Sequence, residues 1–278
     1  MAGVFEAQPA PGDARFHESP PGSPPTHVTS ALLDAAQLTH AFGTRHFPGL
    51  TPRIDDGPFG PAAAPVLRRA GFDGLAPAFA RQVHGAAVIE ASAGGRCGEA
   101  DALVTSRAGQ PLAIFTADCV PLVLWDPVGQ RVAAVHAGWR GTAAGVGPAA
   151  LEALVARGAR PADVLAALGP SIGPCCYEVD APVVDRLATT FPSRAPAWLS
   201  PRGPGKWLLD LWRANRDQLV DAGVPAERID VLGLCTYCRP ELFYSYRRGE
   251  HGPGARLVTL VAPPPARAAS PRGPERPC

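Results

Sequence analysis

A mixed α/β or α+β fold is predicted, with one domain of layered, largely antiparallel sheets flanked by helices. Three observations carry that reading. Short β-branched and apolar runs outnumber helix-period stretches, several of the runs follow one another at hairpin spacing, and the helical patterns come later, between strands. With 46% hydrophobic residues over 278 positions, the chain can bury a sizeable core.

Taken in order, residues 1–36 carry Pro-Pro-Gly-Ser-Pro-Pro at 20–25 and little periodicity, and read as a disordered extension. Leu38 to Phe42 reads as a strand, and residues 49–78 are rich in Pro and Gly with weak signals. Ala86 to Ala91 is a strand preceded by Arg81-Gln82-Val83-His84. Three buried strands follow, Pro111 to Thr116, Val120 to Trp125 and Arg131 to Val135, the last two joined by the turn Asp126-Pro127-Val128-Gly129-Gln130. Gly138-Trp139-Arg140-Gly141-Thr142 opens a helical pattern, and Gly147 to Gly158 continues as a helix with apolar residues three and four apart and a closing Gly. Val164 to Leu168 is a strand, Val179 to Phe191 and Leu208 to Ala222 are helical, and Ile229 to Leu234, Leu242 to Tyr246 and Ala255 to Val261 close the fold as strands. The domain therefore spans 37–262, and residues 263–278 read as a second disordered tail in which Cys278 is an exposed thiol.

Composition narrows the partners. A net charge of +1 gives no bulk electrostatic attraction to nucleic acid or an anionic membrane. No apolar stretch reaches the roughly 18 residues of a membrane span, and the first residues lack the charged and apolar regions of a secretory signal. Seven cysteines is an odd count that points to reduced thiols in a cytoplasmic protein. A small-molecule substrate is expected, with the chain a monomer or homodimer.

The chemistry-bearing residues sit at strand ends. His84, Cys119 and His136 each adjoin an apolar strand and a small or turn residue. Two imidazoles and a thiolate form a coherent three-ligand set for zinc that leaves a fourth tetrahedral position open, the catalytic arrangement. The same residues also read as a thiol nucleophile, Cys119, with His136 as its base and Asp118 as orienting group or acid/base, or as two ordinary histidines and a buried cysteine. The glycines at 138, 141, 145 and 147 mark either an anion site at a helix start or close helix–sheet packing. Arg45 and Arg140 are candidate phosphate or carboxylate contacts through their planar forks. Cys235-Thr236-Tyr237-Cys238 is a lone C-x-x-C, and Cys175-Cys176 has the wrong spacing for a standard knuckle. All four are expected to be structural or substrate-proximal thiols without metal.

Six segments then carry a family resemblance: RQVHG (81–85), ADALVTS (100–106), TADCVPLVLWD (116–126), AAVHAGWRGTAAGV (133–146), LGPSIGPCCYEV (168–179) and CTYCRPELFYSYRR (235–248). In this order they resemble the YfiH-type laccase-domain family, whose members are variously named polyphenol oxidase, purine nucleoside phosphorylase and peptidoglycan editing factor. The resemblance covers roughly 38–262. It implies a single layered α/β domain related to bacterial toxin-like cysteine hydrolases, with His84, Cys119 and His136 as the metal ligands. It departs from the family after Thr44-Arg45, where His46-Phe47-Pro48-Gly49 follows and nothing in 50–80 matches; that loop is expected to shape the substrate pocket.

The resemblance implies zinc-dependent phosphorolysis of purine nucleosides, adenosine first, with adenosine deamination, inosine and guanosine phosphorolysis and methylthioadenosine cleavage as related activities. Arg45 would then neutralise phosphate, and Asp118, Gln82 or Arg140 would orient groups around the metal. The alternative is an amidase acting on a peptidoglycan precursor that carries the wrong amino acid, through zinc-bound water or the Cys119 thiolate, which needs no phosphate; a metal-scaffolded binding module would instead show a closed four-ligand site. Multicopper laccase chemistry is not expected, on count. It needs about eight imidazoles and a separate blue-copper site, whereas the chain has seven histidines and no His-x-His pair.

Overall fold

The central apolar runs become strands that are buried on both faces. The structure, a computed structural model, describes residues 14–52, 57–72, 74–252 and 254–265. Val120–Asp126 and Arg131–Ala137 pair antiparallel across the predicted turn, Trp125 opposite Val132 and Pro121 opposite His136. Leu112–Thr116, although adjacent in sequence, belongs to a different sheet. The chain therefore crosses from one sheet to the other at Ala117-Asp118-Cys119.

Two sheets stack face to face. One has seven strands in the order Ala14–Glu18, Pro25–Ser30, Thr39–Gly43, Leu257–Ala262, Leu112–Thr116, Ala78–Arg81 and Gly95–Glu99. The other has six, in the order Ile229–Val231, Leu165–Leu168, Val120–Asp126, Arg131–Ala137, Ala102–Thr105 and Val88–Glu90. Both are mixed and largely antiparallel. A small antiparallel sheet of Glu178–Asp180, Lys206–Leu209 and Leu199–Gly203 stands apart.

The period-2 geometry of strands explains why the runs are apolar throughout. Leu112 and Ile114 face the inter-sheet core with Val123, Trp125, Val132 and Ala134. Ala113 and Phe115 face the other way, onto the helix Ala63–Arg69 through Val66 and Leu67. On the second sheet Val120, Leu122, Leu124, Ala133 and Val135 face the helices Val146–Val155 and Leu211–Asp221. The result is helix, sheet, sheet, helices.

Several expectations are corrected. Residues 14–36 are not disordered: they form two strands and the helix Ala31–Ala35, with Val28 and Leu33 fully buried in the inter-sheet core. The Pro-rich 20–25 stretch is the hairpin turn between those strands, and Ser30 caps the helix by accepting the Leu33 N–H. Residues 1–13 and 266–278, including Cys278, lie outside the described residues. Leu242 to Tyr246 is not a strand. The Arg248 guanidinium gathers the carbonyls of Thr236, Tyr237 and Phe243 and coils the backbone around itself. The helices expected at 179–191 and 208–222 each lose their first residues to the third sheet, Asp180 and Asp210 marking the switch into Ala181–Thr190 and Leu211–Asp221. Among the described residues no helix is long and apolar enough to cross a membrane.

Candidate active site

The sheet crossover puts Cys119 against the end of its hairpin partner strand, where His136 lies one residue from the terminus. His84 arrives from the loop after the strand Ala78–Arg81. Its backbone takes φ of 60°, a left-handed value uncommon for a residue with a Cβ. One carboxylate holds that conformation: Asp101 accepts the N–H groups of Val83, His84 and Gly85 at 3.3, 2.9 and 2.6 Å. The same carboxylate lies 2.8 Å from His136 Nδ1 and accepts its N–H, which makes Nε2 the ring nitrogen that faces Cys119.

The ligand-capable atoms of His84, Cys119 and His136 all lie within 4.8 Å of one another, with Cys119 Sγ 4.0 Å from His84 Nε2. Zinc bonds of about 2.3 Å to sulfur and 2.0–2.1 Å to nitrogen place such donors roughly 3.5 Å apart, so small side-chain adjustments close the set. Gly138 is part of the cradle. A Cβ there would stand 2.7 Å from Cys119 Sγ and 3.2 Å from His84 Cδ2, within the space the ligands occupy. Two imidazoles and one thiolate suit a zinc-class ion.

Burial alone would push the Cys119 thiol up, but the charge and hydrogen bond of His136, with those of His84, bring it down to about 6. Burial would likewise push His136 down, yet the Cys119 thiolate and the Asp101 carboxylate raise it to about 9. Each shift favours the charged form of its group, thiolate at Cys119 and imidazolium at His136. For Asp101, burial is outweighed by its bonds from His136, Gly85 and His84, which hold the carboxyl below its usual range.

The trio opens into a cavity of about 780 Å³ lined in addition by Trp139, Tyr177, Tyr246, Arg140, Arg247 and Arg256. Thr116 also lines it, and its buried hydroxyl has no hydrogen-bond partner among the described residues. Arg140 stacks over the Trp139 ring, 4.3 Å from the centroid, and makes no ion pair among the described residues.

A family model described as "Multi-copper polyphenol oxidoreductase laccase" matches residues 64–262. The chain belongs to that family. Within the laccase-domain family the chain is similar to the purine nucleoside phosphorylase YlmD of Geobacillus stearothermophilus, 40% identical over 191 residues that cover 65% of this chain and 69% of that one. It is similar over more of its length to a purine nucleoside phosphorylase of Deinococcus radiodurans, 38% identical, covering 88% of this chain and 94% of that one. The crystal structure of YlmD from Geobacillus stearothermophilus superposes with a TM-score of 0.77 at 31% identity, covering 90% of this chain and 98% of that one. The layered α/β fold of the laccase-domain family is thus the fold seen here.

Measured against that fold, the sequence-predicted residues separate into two groups. His84, Cys119, His136 and Arg140 meet at the cavity. Arg45 does not: its guanidinium pairs with Glu250 at 3.0 Å and with the Pro240 carbonyl, and it lies over the Tyr244 ring. Gln82 lines the cavity, but its amide is committed to Phe115, donating to the carbonyl at 2.6 Å and accepting the N–H at 2.7 Å. Asp118 is an anchor rather than a free acid/base. Its carboxylate accepts the hydroxyls of Thr236 and Ser245 at 2.6 and 3.0 Å and the N–H of Arg247 at 2.7 Å.

The helix Trp139–Ala143 is only five residues long, so its glycines serve close packing: a Cβ on Gly141 would stand 3.1 Å from the Gly85 carbonyl. Sequence reasoning missed Asp101 as a site residue. Its one signal is an acidic residue directly before a fully buried strand, Ala102–Thr105. It also left Arg247 and Tyr177 unassigned. Finally, the Sγ atoms of Cys175, Cys176, Cys235 and Cys238 all lie within 4.8 Å of one another, a convergence their spacing does not reveal.

Proposed function

We propose that this chain is a zinc-dependent purine nucleoside phosphorylase acting on adenosine first, and on inosine, guanosine and methylthioadenosine, in the cytoplasm. The observation that carries the reading is the His84–Cys119–His136 trio on an aromatic- and arginine-lined cavity, in a chain whose relatives are named purine nucleoside phosphorylases. Zinc held by these three residues would supply a Lewis-acid position for an anionic or neutral oxygen.

The remaining roles belong to the chain's own residues. Asp101 keeps His136 in the tautomer that presents Nε2 and props up the His84 turn. Tyr246, exposed at the cavity, offers a flat face for a purine, while the Trp139 and Tyr177 rings carry Arg140 and Arg247 against them. Arg140 would neutralise phosphate charge from the cavity wall that Arg247 also lines, the Arg247 backbone fixed by Asp118 and its guanidinium donating to the Glu178 carbonyl. In phosphorolysis a phosphate oxygen bonds to C1′ while the C1′–N9 bond breaks, and the base leaves with the electron pair and takes up a proton. Thr116, whose hydroxyl has no partner among the described residues, is available to hydrogen-bond the nucleoside. Deamination of adenosine in the same cavity would instead bring water to C6 of the base, where a C–O bond forms, the C6–N6 bond breaks and ammonia leaves.

A second reading rests on the thiolate–imidazolium pair of Cys119 and His136, with Asp101 orienting the imidazole. That is the arrangement of a thiol hydrolase, and would suit an amide of a cell-wall precursor. Incubating adenosine with the purified protein, with and without phosphate, and resolving products by LC–MS separates the readings. Adenine and ribose-1-phosphate appearing only with phosphate is the expected result. Adenosine returned unchanged in both tubes overturns the phosphorylase reading.

A further inference from the structure

Of the cysteines outside the His84–Cys119–His136 centre, four converge at a second place and have no part in the chemistry described above. Cys175 and Cys176 sit on a turn after the strand Leu165–Leu168, and Cys235 and Cys238 on a turn after Ile229–Val231. Those two strands are parallel neighbours, Ala166 opposite Ile229 and Leu168 opposite Val231, so both turns leave the same end of the sheet. The pairing continues past the strands: Ser171 bridges to Cys235, and the Thr236 N–H donates to the Ser171 carbonyl at 3.0 Å. The fold therefore drives the two cysteine pairs together across about sixty residues of intervening chain.

We infer that Cys175, Cys176, Cys235 and Cys238 form a second, closed metal site that binds one zinc-class ion through four thiolates. All four Sγ atoms lie within 4.8 Å of one another, and Cys238 Sγ is 3.6 Å from Cys175 and 3.3 Å from Cys176. Tetrahedral bonds of about 2.3 Å to sulfur require neighbouring sulfurs about 3.8 Å apart, so the cluster already has the dimensions of a four-thiolate shell. The C-x-x-C half occupies a turn, the usual form of a zinc knuckle, and Arg248 braces that turn by donating to the carbonyls of Thr236 and Tyr237 at 2.8 and 2.9 Å. The Gly173 N–H donates to Cys235 Sγ at 3.3 Å, the kind of outer support that steadies a ligating thiolate. Four soft donors with no imidazole or carboxylate among them select zinc or iron over harder cations.

The ion would occupy a structural role. One of the two turns it joins runs into a cavity residue, Tyr177 next to Cys176; on the other, buried Thr236 between Cys235 and Cys238 holds the cavity residue Asp118 through its hydroxyl. A cation at the four sulfurs fastens these walls to each other. With all four positions filled by protein, it leaves none for substrate.

The test counts metals with the full chain, purified with reductant and without chelator. Inductively coupled plasma mass spectrometry is expected to find two ions per wild-type chain, one in Cys119→Ala and one in the double variant Cys235→Ser/Cys238→Ser. Should the double variant fail to fold, the Cys119→Ala protein alone decides. Reconstituted with cobalt(II), it is expected to show thiolate-to-cobalt charge transfer and the intense ligand-field bands of a tetrahedral four-sulfur site. A folded Cys119→Ala chain that binds no metal, or whose cobalt spectrum lacks sulfur ligation, overturns the inference. A Cys176–Cys238 disulfide found in all molecules by peptide mapping does the same. Loss of only the Cys119-dependent ion leaves this second site standing, so failure of the proposed catalytic centre and failure of the cysteine site give different counts.

Discussion

The Asp101 carboxylate lies 2.8 Å from His136 Nδ1 while also receiving the backbone N–H of His84 at 2.9 Å, so one buried acid positions two of the three candidate ligands. It sets the ring tautomer of one and the backbone turn of the other. Asp101→Asn offers an amide where an acceptor is required. It is expected to weaken metal binding by about 10–100-fold and to destabilise the fold by about 1–3 kcal/mol through unsatisfied buried N–H groups. Metal titration and thermal unfolding on the same sample check both, and an unchanged metal affinity would show that His136 needs no orienting partner.

Gly138→Ala is a steric test of the cradle. Its new Cβ would meet Cys119 Sγ at 2.7 Å and must displace the sulfur or the backbone. Metal content at the His84–Cys119–His136 centre and turnover are both expected to fall, while circular dichroism keeps the wild-type profile. A fully loaded, fully active Gly138→Ala protein would mean that the sulfur is not where the ligand set requires it.

The metal-free protein has a pH signature. Cys119 is lowered to about 6 and His136 raised to about 9, so the thiolate persists above pH about 6 beside a charged imidazole. Alkylation of Cys119, followed on its own peptide by mass spectrometry, is expected to slow as pH falls through about 6. Added zinc should protect the thiol at pH 7–8. A rate that rises only near pH 9, as for an ordinary thiol, would contradict the pairing.

The two arginines singled out in the sequence should behave differently. Arg140→Ala is expected to raise KM for phosphate at least tenfold. Arg45→Ala removes a partly buried ion pair and a ring contact, costs about 1 kcal/mol of stability, and leaves KM unchanged. Steady-state kinetics at varied phosphate, with a denaturation curve for each variant, distinguish them.

These contrasts show what a sequence can carry. Val120 to Trp125 and Arg131 to Val135 were legible as strands because both their faces are buried, which leaves unbroken apolar runs bounded by a turn. Cys119 and His136 stood out as reactive residues at the ends of those runs. The N-terminal hairpin was not legible. Its outer strand, Ala14–Glu18, is an edge with exposed Phe16 and little buried face, and its turn is so rich in Pro that it imitates disorder. The helix Ala63–Arg69 has a proline at its third position and no side-chain cap, so it emits no start signal. Arg45 was misread for a different reason: a guanidinium's partner is set by tertiary structure, and Glu250 lies 205 residues away. The convergence of the four cysteines depends likewise on two strands becoming parallel neighbours, which spacing alone does not report.

The measurement that bears most directly on the central claim is the Cys119→Ala variant, assayed for ribose-1-phosphate formation from adenosine and phosphate beside a count of bound metal. The account predicts that one metal equivalent and all phosphorolysis disappear together while the chain remains folded. Wild-type turnover from a Cys119→Ala chain that has lost that ion would contradict it.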